Sequence, residues 1–188
     1  MKVDLKGVKG SWKDVLNRAR TTVNKEELDK EPSDIFKRKI LRAEHSPIRS
    51  IIFSFKITNL KSWVATHFVR HHVGVEKWVR TQRSDRTGIN RDDLPQGSEV
   101  EMELEANTQA LINMSRKRLC NQASPETREV MQAMKEEVKK VDPFIAEVMV
   151  PECVYRGFCP EINSCNYDKK PQFQEDLKRY RQIEEEER

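Results

Sequence analysis

Arg70-His71-His72 sets a guanidinium beside two imidazoles at the end of an apolar stretch with helical spacing. A guanidinium offers a planar fork to phosphate, and an imidazole can stack or donate. The triplet therefore suits an anion or cofactor contact, although charge placed at a helix C-terminus is the plainer reading. His67 and His71 stand at i, i+4, a metal-ligand spacing, but no HExxH and no carboxylate on that face accompanies them. Six cationic residues lie between Arg70 and Arg91 against two acids, Glu76 and Asp85, which makes this the densest basic stretch. Arg116, Lys117, Arg118 and Arg128 form a second group. Cys153, Cys159 and Cys165 are evenly spaced, with Cys120 apart from them, and no CxxC pair is present. No metal ligand is assigned on this pattern. Free thiols are favoured, with a structural zinc or a disulfide as alternatives. No histidine lies in the cysteine segment, so none of these thiols reads as a nucleophile. A Walker loop and a GxGxxG are both missing, so a nucleotide or flavin would be gripped by side-chain cations and helix ends.

The elements that position these groups follow from the pattern. At 188 residues the chain suits a single domain. No apolar run approaches the roughly 18 residues that span a bilayer, so no membrane contact is expected. The first 30 residues mix charges and lack the apolar core of a secretory signal, so a cytoplasmic location is expected. Lys and Arg exceed Asp and Glu only by 35 to 31, a balance too mild to demand nucleic acid but compatible with a local anion site. Ser11 and Ser33 cap helices beginning at Trp12 and near Asp34, and Ser46-Pro47 ends the second. Ile51, Phe53, Phe55 and Ile57 alternate as a strand that Asn59 breaks. Leu60 to His71 then follows helical spacing. Residues 73–98 read as irregular. A long helix is expected from Glu99 to Leu119, with Glu99, Glu101 and Glu103 in its first turn and Arg116 to Arg118 in its last. Ser124 caps another helix with Pro125 at its first position. Pro143 opens a short helix that Pro151 closes, and Glu184 to Glu187 read as a solvated helix tail. The fold class is α+β, with a small antiparallel sheet packed by several helices.

The order of motifs over residues 41–165 resembles the flavin-dependent thymidylate synthases (ThyX). His45-Ser46-Pro47 before Ile51–Phe55 looks like that family's "HSP…FTF". His67-Phe68-Val69-Arg70-His71-His72 looks like its "QxxRHR" signature. Leu94-Pro95, Asn107 to Asn113, Arg118 to Ala123, and Ala123 to Arg128 follow its "LP…NxRxLxNFxxLRxxxxA" and "AQWEIR" runs. Gly157-Phe158-Cys159-Pro160-Glu161 resembles a cysteine-bearing tail of some members. The resemblance implies a divergent, phage-type enzyme that methylates dUMP to dTMP, using FAD, NADPH and methylenetetrahydrofolate as one-carbon donor. It implies a homotetramer with shared active sites, a catalytic unit over residues 1–150 and a cysteine-bearing segment with a charged tail over 151–188. It also implies roles. Arg70, His71, His72, Gln82, Arg118 and Gln122 would bind cofactor. His67, Arg70, Ser84, Arg86 and Arg128 would bind nucleotide, and Arg128 would be catalytic by favouring the ionised pyrimidine.

The departures are specific. His72 replaces an arginine of the signature. Reaching Ser84 and Arg86 requires a four-residue insertion, without which the positions would be Arg80 and Gln82. Glu101 stands where a phosphate-binding arginine is expected, and Pro125 replaces a tryptophan. An unpaired carboxylate facing phosphate costs several kcal/mol, of the order of a buried unpaired charge. Arg83 or Arg91 would then take over, or the substrate is a modified pyrimidine nucleotide. The competing readings are a non-catalytic nucleic-acid-binding module, with Trp63 or Trp78 for stacking, and an inactive scaffold.

Overall fold

Alternating sequence, more than composition, decides where the sheet forms. The computed structural model describes residues 1–185. Strands β1 (Lys2–Lys9), β2 (Ile52–Lys61), β3 (Val75–Val79) and β4 (Glu99–Asn107) pair antiparallel in the order β1-β2-β4-β3. One face carries Val3, Phe53, Phe55, Ile57, Met102 and Leu104, all buried. The other face is charged, with Lys9 on Glu105 at 2.8 Å and Lys56 on Glu101 at 3.5 Å. The four-stranded antiparallel sheet and its helices bear out the α+β reading.

The helices are α1 (Trp12–Thr21), α2 (Asp34–Arg42), α3 (Ser62–Val69), the short α4 (Ser84–Thr87), α5 (Thr108–Arg118), α6 (Pro125–Val141), α7 (Pro143–Val148), α8 (Glu152–Arg156) and α9 (Pro171–Glu185). The caps read from the sequence are in place. Ser11, Ser33 and Ser124 each accept the backbone N–H three residues on. Pro125 sits at the first turn of α6, where its missing N–H costs nothing. Asp142 caps α7.

Five readings are corrected. The helix expected from Glu99 begins only at Thr108, because Val100, Met102, Leu104 and Ala106 alternate inward as β4. That period of two outweighs the helical spacing that continues from Ala106 into α5. Asn59 interrupts β2 without ending it. It takes φ 53°, the register shifts between Ile57 and Leu60, and Leu60 returns to the core. The stretch 73–98 is not wholly irregular, since it contains β3 and α4. β1 also occupies Lys2–Lys9, a strand the sequence pattern did not disclose. Finally, α3 stops at Val69, so His67 and His71 do not share a helix face.

Gly74 turns the chain from α3 into β3 with φ 71°, a region open to glycine. A Cβ there would come within 2.3 Å of the Asn107 side-chain nitrogen. Asn107 ends β4 and caps α5 by accepting the Ala110 N–H at 2.9 Å. The segment after Pro151 joins the same core through Cys153, Val154, Phe173, Leu177 and Tyr180. Among the described residues no helix is long and apolar enough to cross a membrane. Of the acidic run 184–187, the first two residues close α9, and 186 and 187 lie outside the described residues.

Candidate functional site

Three helix ends meet on one side of the sheet: the C-termini of α3 and α5, and the N-terminus of α6. Arg118 ends α5 and reaches back to α3. Its Nη2 donates to the His67 carbonyl at 2.7 Å, and its Nε donates to His71 Nε2 at 2.9 Å. The cation thereby satisfies a carbonyl of the last turn of α3, which the helix itself leaves without a partner. His67 Nδ1 lies 2.7 Å from Thr127 Oγ1, in the first turn of α6. Thr127 is fully buried and lies on the same stripe as Val130, Met131, Met134 and Val138.

The electrostatics are one-sided. Burial, then Arg118 and Lys77, push the His71 imidazole down to about 4. Burial, then Arg118 and Arg70, lower His67 as well. Burial and the neighbouring Arg70 also depress the Arg118 guanidinium. Both imidazoles are thus held neutral beside two guanidiniums. Arg70 is exposed and forms no ion pair among the described residues. The arrangement can attract an anion and offer it neutral N–H donors.

A cleft of about 630 Å³ runs along α3, lined by Trp63, Arg80, Gln82, Arg83 and Arg91. A larger cavity of about 890 Å³ lies between α6 and the cysteine segment, with Arg128 in its wall. His67, Arg70, His71 and Arg118 therefore come together. His72 stands exposed beside His71. Gln82 lines the smaller cleft. Ser84 opens α4 and accepts the Arg91 N–H at 2.9 Å, while Arg86 lies 3.7 Å from Asp85. Arg128 donates to Asn121 Oδ1 at 2.5 Å, and Gln122 donates to the Asn163 carbonyl at 2.5 Å. No hydrogen bond or ion pair among the described residues joins Arg128 or Gln122 to the His67–Arg118 group.

All four cysteines are free and line the larger cavity. Burial pushes the Cys153 thiol up to about 11 and raises Cys120 too. No three His, Cys, Asp or Glu side chains among the described residues are placed to hold a metal ion. Thr127 escaped the sequence reading. Its signal was a hydroxyl at the start of an otherwise apolar helical stripe.

Known proteins resemble this chain in segment and in fold. Residues 86–144 match the family model described as thymidylate synthase complementing protein, Thy1. Among solved structures, ThyX from Helicobacter pylori with FAD and dUMP superimposes with a TM-score of 0.66 at 13% identity, covering 80% of this chain and 99% of that one. A second Helicobacter pylori ThyX complex with FAD and dUMP gives 0.64 at 14%, covering 80% and 100%. The UMP/dUMP methylase PolB from Streptomyces cacaoi, bound with 5-Br dUMP, gives 0.64 at 16%, covering 84% and 95%. Among curated protein sequences none matches. The resemblance read from the motifs is thereby borne out, in a strongly diverged sequence with the ThyX fold.

Proposed function

We propose that this chain is a flavin-dependent nucleotide methylase of the thymidylate synthase type, converting dUMP to dTMP. The observation that carries the proposal is the convergence of Arg70, Arg118, His67 and His71 on a ThyX fold whose 86–144 segment matches Thy1. On this reading FAD, rereduced by NADPH, supplies hydride, and methylenetetrahydrofolate supplies the carbon. The chain's own residues bind and polarise. Arg70 and Arg118 compensate the anionic groups of cofactor and nucleotide, His67 contacts the nucleotide, and His71 and His72 border the flavin with Gln82 and Gln122. Arg128 faces the pyrimidine and stabilises negative charge on it. Arg128 and Gln122 spend their side-chain hydrogen bonds on Asn121 and Asn163 rather than on that group, and on this reading they complete the site of another subunit in a homotetramer.

The residues present fit an anionic cofactor and a nucleotide. The Glu101 carboxylate is already compensated by Lys56, so it does not oppose a phosphate unpaired. Arg80, Arg83 and Arg91 along the cleft supply the cations that position lacks. They stand beside Ser84 and Arg86 as candidates for holding the phosphate. The likeness to PolB favours a second reading, in which UMP or a modified pyrimidine nucleotide is the substrate.

The purified protein is expected to carry yellow flavin absorbance that changes on titration with dUMP, and to release tritium from 5-tritiated dUMP. Its mass in solution should be four chains. A colourless protein that takes up no added FAD would overturn the assignment. Flavin binding with response only to UMP would select the second reading.

A further inference from the structure

Thr127 Oγ1 stands between two partners: His67 Nδ1 at 2.7 Å and Ser124 Oγ at 2.8 Å. Ser124 Oγ already accepts the Thr127 backbone N–H at 3.3 Å as the cap of α6. Each hydroxyl has one proton to give. If Thr127 gave its proton to Ser124, the Ser124 proton would have no acceptor among the described residues. If Ser124 donates to Thr127, and Thr127 to His67, both protons are used. The second direction leaves no hydroxyl in this part-buried chain unsatisfied.

We infer that Ser124 and Thr127 act as a relay fixing His67 as the Nε2–H tautomer, with Thr127 as the positioning residue. His67 Nε2 has no partner among the described residues, so its N–H is presented outward. His71 takes the opposite form. The Arg118 guanidinium is a donor only, so His71 Nε2 must be the bare nitrogen and Nδ1 carries the proton. The site then displays two oriented, neutral donors beside Arg70. Such groups donate to a carbonyl or phosphoryl oxygen and reject an ammonium placed there. The identity of the bound molecule as a pyrimidine nucleotide rests on the proposed function. The tautomers do not.

The test is a long-range proton–nitrogen correlation spectrum of the imidazoles in the full-length protein at neutral pH. His67 is expected to show a protonated Nε2 and a bare Nδ1, and His71 the reverse. A protonated His67 Nδ1 overturns the relay. In Thr127→Val, whose shape is conserved, the fixed His67 pattern should give way to a mixture. dUMP affinity should fall about tenfold, the loss of roughly one hydrogen bond. Thr127→Ser should restore both, and thermal melts verify that both variants are folded. An unchanged pattern in Thr127→Val overturns the role of Thr127. A changed pattern with unchanged dUMP affinity overturns the link to the ligand. Failure of the unaltered protein to bind dUMP overturns the proposed function, while the spectrum still decides the tautomers.

Discussion

Arg118 and His71 show how one contact sets both a site and a pH response. The imidazole is neutral because it is buried and because a guanidinium donates to it. An unfolded chain would take up a proton there near 6.5, whereas the folded chain resists until about 4. Stability from this residue is therefore complete above 6.5 and is lost as pH falls toward 4. Melting temperature should drop between pH 6.5 and 5, and His71→Gln should flatten that drop. A His71 titration midpoint near 6.5 in the folded protein would refute the account. The arginines and histidines were legible in the sequence because their types and spacing are distinctive. Their partners were not, since Thr127 is separated from His67 by 60 residues and only the fold joins them.

Among the elements, β4 is the instructive case. Its glutamates resemble the acidic first turn of a helix, and its apolar residues run on into α5. The deciding fact is that Phe55 and Lys77 both pair across to Leu104, which places this strand between β2 and β3. Pairing of distant segments has no local signature, whereas the caps at Ser11, Ser33 and Ser124 do and were read correctly. Leu104 is fully buried, and its neighbour Glu103 points to the charged face. Leu104→Ala should cost about 2–5 kcal/mol in denaturant unfolding, as large-to-small core changes do. Glu103→Ala should cost under about 0.5 kcal/mol. Equal costs would contradict the strand's facing.

For the whole molecule, the segment after Pro151 is the test of unity. Phe173 is only 2% exposed and belongs to the same core as the sheet. Phe173→Ala should therefore lower stability by about 3–5 kcal/mol while unfolding stays a single transition. A separate early transition would show that the cysteine segment unfolds by itself. The junction of Gly74 with Asn107 has a consequence for heredity. A side chain at 74 would dislodge the amide that starts α5, the helix whose far end bears Arg118. Selection for function from a randomised library should accordingly return these two positions as a matched pair, each constraining the alphabet available to the other.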